Sequence, residues 1–267
     1  MRLLLRQSDG SYCLTGDLVG NIPPYAILSH TWGPDDQEVT FQDVKEGTER
    51  HKDGYRKLEF CSSQAALDGI DYFWVDTCCI DKSSSAELQE AINSMFRWYQ
   101  QANKCYVYLS DVPSKGDAPT TGAVTPDWAK DFRSCRWMTR GWTLQELLAP
   151  SSVEFFSREG QRLGDKRSLE GLLQEITMIP NTALQGLPLS DFSETERMSW
   201  SDTRSTKKEE DIAYSLLGIF GVHMPMIYGE GKQNALRRLR EEVRKTGQRA
   251  SPRLIDTKVE SEQDPHP

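Results

Sequence analysis

Four short runs, Tyr25-Ala-Ile-Leu-Ser29, Tyr72-Phe-Trp-Val-Asp76, Cys105-Tyr-Val-Tyr-Leu-Ser110 and Val153-Glu-Phe-Phe-Ser157, constrain this chain more than any other feature. Each is rich in aromatic and β-branched residues and mostly lacks polar alternation, the pattern of strands covered on both faces. Helical spacing fills the gaps between them. Leu58, Cys61, Ala65 and Ala66 repeat before Gly69, a natural C-terminal stop. Leu88, Ala91, Ile92, Met95, Phe96, Tyr99 and Ala102 trace an apolar face behind the capping box Ser84-x-x-Glu87. Leu169, Leu172, Leu173 and Ile176 give a further helix after the fourth run.

Alternating strand and helix predict an α/β domain with a parallel sheet flanked by helices. Right-handed crossovers then place the carboxyl ends of all four strands along one edge, where ligands of open α/β sheets bind. The first run ends in Ser29-His30-Thr31-Trp32-Gly33 and the second in Asp76-Thr77-Cys78-Cys79-Ile80-Asp81. The third ends in Ser110-Asp111, and after a long loop comes Arg140-Gly-Trp-Thr-Leu-Gln-Glu-Leu-Leu-Ala-Pro150. Ser29, His30, Trp32, Gly33, Asp76, Cys78, Trp142, Thr143 and Glu146 are therefore the candidate site residues, polar groups set among aromatic ones as in a small-molecule pocket.

Residues 112–127, rich in Pro, Gly and Thr, read as a flexible loop, and 181–210 as a polar insertion. Ile212, Leu216, Leu217 and Ile219 predict one helix ending at Gly221, and Leu236, Leu239 and Val243 line a charged final helix. From Thr246 to Pro267 the chain is polar and predicts a disordered tail.

Composition removes several function classes. A net charge of -8 leaves no basic field for nucleic acid or anionic membrane. Six cysteines without a CxxC, with four histidines in all, give no metal-ligand spacing. The opening apolar run is too short for a signal peptide, and no segment approaches a membrane span, so a reduced, cytoplasmic protein is expected.

The motifs YAILSHTWG, YFWVDTCCIDK, AINSMFRWYQQANKCYVYLSDV, RGWTLQELLAP, RMSW, EDIAYSLLGIF and MPMIYGEG closely resemble, in order, those of the HET (heterokaryon incompatibility) domain of filamentous fungi. The resemblance covers roughly residues 20 to 240 and implies a role in non-self recognition ending in programmed cell death. It implies a HET domain over 1–245, with a core at about 20–180 and a helical family-specific extension at 181–245. The order of elements from Tyr72 to Leu147 also resembles a TIR domain, which implies a TIR-like (flavodoxin-like) core. On that resemblance Glu146 falls on a catalytic glutamate that cleaves the nicotinamide–ribose bond of NAD, with NAD as substrate and no metal or further cofactor. The chain departs from many TIR domains in having Thr143, not Cys, after Trp142, and in its longer loop and extra C-terminal region.

Two readings of Glu146 stand side by side. Thr143-x-x-Glu146 is itself a capping box, which would fold the carboxylate back onto its own helix. Alternatively Glu146 faces a ligand, walled by Trp142 one turn earlier. Function divides likewise between a hydrolase acting on NAD or a related nucleotide and a non-catalytic adaptor that works by self-association. Either is expected to self-associate on activation, with a separate sensor protein upstream.

Overall fold

The computed structural model describes residues 1–114 and 128–250. Among these residues seven strands form a single sheet: β1 (Leu4–Arg6), β2 (Tyr12–Leu14), β3 (Tyr25–His30), β4 (Tyr72–Trp74), β5 (Lys104–Tyr108), β6 (Val153–Phe156) and β7 (Arg162–Asp165). Their spatial order is β2-β1-β4-β3-β5-β6-β7. The four strands legible in the sequence lie at its centre and run parallel. The sheet is nevertheless mixed, not wholly parallel, because β1 pairs antiparallel with β2 and β4, and β7 antiparallel with β6. The β1–β2 and β6–β7 pairs close through tight hairpin turns at Gly10 and Gly160, both with positive φ, and need no helical crossover.

Among the described residues thirteen α-helices flank the sheet. The first seven are α1 (Phe41–Glu46), α2 (Tyr55–Leu67), α3 (Asp76–Cys79), α4 (Ser85–Gln101), α5 (Ala129–Ser134), α6 (Arg136–Thr139) and α7 (Thr143–Leu148). The rest are α8 (Glu170–Thr177), α9 (Asn181–Leu184), α10 (Glu194–Ser199), α11 (Asp211–Tyr214), α12 (Leu217–Phe220) and α13 (Lys232–Ala250). The single helix expected over 212–219 is broken into α11 and α12, and Gly221 caps the second in the left-handed region. Of the expected tail, residues 246–250 continue α13, and 251–267 lie outside the described residues, as does most of the 112–127 loop.

Strand register assigns the two faces. Ile27, Trp74 and Cys105 align on one, where Trp74 meets Trp98 and Tyr99 of α4. Leu28 and Tyr106 align on the other, where Phe60 of α2 packs on Tyr106, Tyr108 and Phe156. Successive strand residues point to opposite faces, so Ser29 turns toward the α4 side and His30 toward α2. That alternation divides the site residues into two groups. At the start of α4 only half of the predicted capping box forms. Ser84 accepts from the Glu87 amide, whereas the Glu87 carboxylate binds Arg2 and the Asp81 amide.

Candidate functional site

On the α4 face, Ser29 is fully buried between two partners. Its hydroxyl accepts from Trp137 Nε1 at 2.7 Å and donates to Glu146 Oε2. Glu146 is 7% exposed and does not cap its helix. The hydroxyl of Thr143 is committed elsewhere, lying 2.6 Å from the Trp137 carbonyl and 2.8 Å from that of Arg140, and accepting from Arg204 Nη1 at 2.8 Å. The capping-box reading of Glu146 therefore fails on geometry. Burial pushes its carboxyl up to about 8, a rise opposed by the Ser29 hydrogen bond and reinforced by the negative Asp76.

Helix α7 is held against a strap from the C-terminal region. Arg140 bridges Ser205, and the Gly141 amide donates to the Ser205 carbonyl at 2.9 Å. A Cβ on Gly141 would sit 2.5 Å from Thr206 Cγ2, so this approach requires glycine.

On the α2 face, His30 Nδ1 lies 3.2 Å from Lys57 Nζ, and Nε2 lies 3.0 Å from Asp76 Oδ1. An ammonium can only donate, so Nδ1 accepts and Nε2–H donates to Asp76. The other oxygen of Asp76 receives Trp32 Nε1 at 3.1 Å and Lys82 Nζ at 3.2 Å. Burial would raise the Asp76 carboxyl, but the Lys82 charge and the His30 hydrogen bond outweigh it and hold the group below the usual carboxylate range. Asp76 thus stays ionised beside a Glu146 that resists ionisation.

The two groups meet in a cavity of about 290 Å³. His30, Trp32, Asp76, Trp142, Thr143 and Glu146 line it, with apolar walls from Ile80, Leu88, Ile92 and Met95. Three of the nine predicted residues do not line it. Ser29 lies behind Glu146 as its hydrogen-bond donor, and the Gly33 amide donates to Glu38. The substrate-contact assignment of Cys78 is corrected. It is fully buried, donates to the Val39 carbonyl at 3.3 Å, and burial drives its thiol well above the usual range. Two residues along α3 is a turn of roughly 200°, which sends Cys78 away from the cavity that Asp76 faces.

Sequence reasoning missed Lys82, Tyr99, Arg140, Lys207, Lys208, Asp211 and Tyr228, all of which line the cavity. Asp211 accepts from Trp142 Nε1 at 3.3 Å and the Tyr228 hydroxyl at 3.0 Å, and burial raises its carboxyl. Lys208 stands 3.6 Å over the Tyr228 ring. The Lys207-Lys208 pair before Asp211 was the only local signal, and a doublet of lysines ordinarily marks a solvated surface. Among the described residues no cluster of three or more His, Cys, Asp or Glu could hold a metal ion, and no helix is long and apolar enough to cross a membrane.

Comparison with known proteins gives the family. Residues 25–124 match the family model described as heterokaryon incompatibility protein (HET), a segment running from β3 past β5 and ending before α7. Over 247 residues, 92% of this chain, the sequence is 60% identical to vegetative incompatibility protein HET-E-1 of Podospora anserina. The chain spans 18% of that relative's length. No solved structure matches it.

Proposed function

The chain belongs to the heterokaryon-incompatibility (HET) family, and on that premise we propose that it acts in non-self recognition by hydrolysing the nicotinamide–ribose bond of NAD, with Glu146 as the essential carboxylate. One observation carries the reading. A buried glutamate, free of capping duty and unpaired with any cation among the described residues, faces an aromatic-walled cavity of nucleoside size.

The chemistry asks little of the protein beyond charge placement. Nicotinamide in NAD is already cationic, so the C1′–N bond breaks with both electrons leaving on a neutral ring and needs no acid. The barrier is positive charge developing on the ribose, which a nearby carboxylate stabilises, as in glycosidases. Water then adds to C1′ and its proton passes to Glu146 and on to solvent, giving ADP-ribose. Trp142 and Trp32 offer flat surfaces for the ring, and the apolar residues of α4 limit water around it. Burial favours the protonated form of Glu146, whereas an incoming cationic nicotinamide ribose favours the ionised form.

On this reading residues 1–245 act as one HET domain with a TIR-like core at about 20–180, and the extension contributes Lys207, Lys208, Asp211 and Tyr228 to the cavity. A reducing cytoplasm fits the six free thiols. The test is nicotinamide release by concentrated purified protein against Glu146→Ala and Glu146→Gln. Loss of turnover in both folded variants supports the hydrolase. An adaptor acting only by self-association instead keeps its cell-death activity in Glu146→Gln.

A further inference from the structure

Two cavities open on this edge of the sheet. Beside the one beneath Glu146 lies a second of about 490 Å³, bordered by the start of α1 and the turn after α3. Trp32, Ile80, Lys82 and Lys207 line both and form the partition. Lys82 Nζ stands 3.8 Å over the Trp32 ring, and Lys207 reaches across to pair with Asp35 on the wall of the second cavity. Both ammonium groups retain solvent exposure, and among the described residues Lys207 has only the exposed Asp35 to leave.

The first cavity sits at the lower end of ligand pockets, which run from about 300 Å³ upward. It accommodates one nucleoside and not a whole dinucleotide. Apart from the shared lysines, the charged residues on the wall of the second cavity are carboxylates: Asp35, Glu38 and Asp81. Carboxylates accept hydrogen bonds from ribose hydroxyls and repel a phosphate placed on them. Two hollows joined at a pair of lysines match the anatomy of a dinucleotide, with one nucleoside at each end and the charge in the middle.

We infer that the two cavities form one bipartite site for a dinucleotide with a free 2′-hydroxyl, its diphosphate bridging at Lys82 and Lys207 and its second nucleoside seated between α1 and the turn after α3. This rests on the NAD-hydrolase reading for which end lies under Glu146, but not for the existence of the second subsite.

A truncation series tests it: NAD, nicotinamide mononucleotide and nicotinamide riboside, with NADP as the charged analogue. Lys207→Ala, at an exposed side chain, is expected to raise KM about tenfold for NAD and the mononucleotide and to leave the riboside within about twofold. Gln42→Trp, which fills the second cavity from its exposed rim, is expected to raise KM for NAD only. NADP is expected to be about tenfold poorer than NAD. Equal changes across the series, or NADP matching NAD, overturn the inference. Should the wild type cleave none of them, the hydrolase reading falls, and calorimetry with ADP-ribose decides the subsite. Binding weakened by Lys207→Ala and by Gln42→Trp sustains it, whereas binding indifferent to both, or absent, overturns it.

Discussion

Glu38 and Glu146 are buried to the same extent, each 7% exposed, yet they sit in opposite electrostatic conditions. Glu38 is compensated, since its carboxylate pairs with Lys57 and accepts the Gly33 amide, and Lys57 goes on to the Thr31 carbonyl and His30. That network ties the loop after β3 to α2. Glu146 has hydroxyl groups for partners, Ser29 and Tyr99, and the charges of Arg140 and Arg204 act on it without forming an ion pair. Burial alone thus fails to mark a functional carboxyl. Burial that the protein leaves uncompensated, on the wall of a cavity, does mark one.

The sharpest way to break this contrast is to neutralise each glutamate in turn. Glu146→Gln is expected to lower nicotinamide release about a thousandfold or more while the fold persists. It is also expected to stabilise the protein. The unfolded glutamate ionises near its ordinary value of 4.5, whereas the folded one holds its proton up to about 8. Stability is therefore lost as pH rises through that window, and the glutamine variant escapes the loss. Its gain in Tm by calorimetry should be small near about pH 5 and larger near about pH 8.5. An equal or negative shift at both contradicts the uncompensated burial of Glu146.

Glu38→Gln should do the reverse. It leaves a buried ammonium without its partner and is expected to cost about 3 kcal/mol in urea unfolding. In whatever protein stays folded, kcat for nicotinamide riboside, which does not extend into the second cavity that Glu38 lines, should be retained. A stability change under about 0.5 kcal/mol would put Glu38 in the same condition as Glu146 and erase the comparison.

Trp142→Ala opens the cavity wall beside Glu146 and is expected to raise KM about tenfold, with Trp142→Phe recovering most of it because a flat ring returns. If the phenylalanine variant is as poor as alanine, the Trp142 hydrogen bond to Asp211 matters more than stacking. The smallest effect is expected at Ser29→Ala. Removing a hydrogen bond that favours the ionised carboxylate moves the Glu146 titration further up, so the pH–rate curve should shift to the alkaline side at little cost in maximal rate.

What could be read from the sequence follows the same physics. The central strands announced themselves because burial on both faces demands unbroken apolar runs. The antiparallel strands β1, β2 and β7, outside the central four, are three or four residues long and partly exposed, so they carry no such demand. Strand-end logic brought His30, Trp32, Asp76, Trp142, Thr143 and Glu146 to one cavity, but it could not see the helical turn that withdraws Cys78. Between the two readings of Glu146 the spacing was silent, because Thr143-x-x-Glu146 satisfies both. Only the commitment of the Thr143 hydroxyl to Trp137 and Arg140 decides it. Lys207, Lys208, Asp211 and Tyr228 reach the cavity from about 60 or more residues further along the chain, and nothing local foretells such a return.

The most direct trial of the account is the pH dependence of kcat/KM for nicotinamide release, which reports ionisation in the free protein. A buried, uncompensated Glu146 acting as the carboxylate predicts a rise of about tenfold per pH unit that levels off near 8 and vanishes in Glu146→Gln. A rate already flat from about pH 6 upward, or an unaltered profile in the glutamine variant, would contradict it.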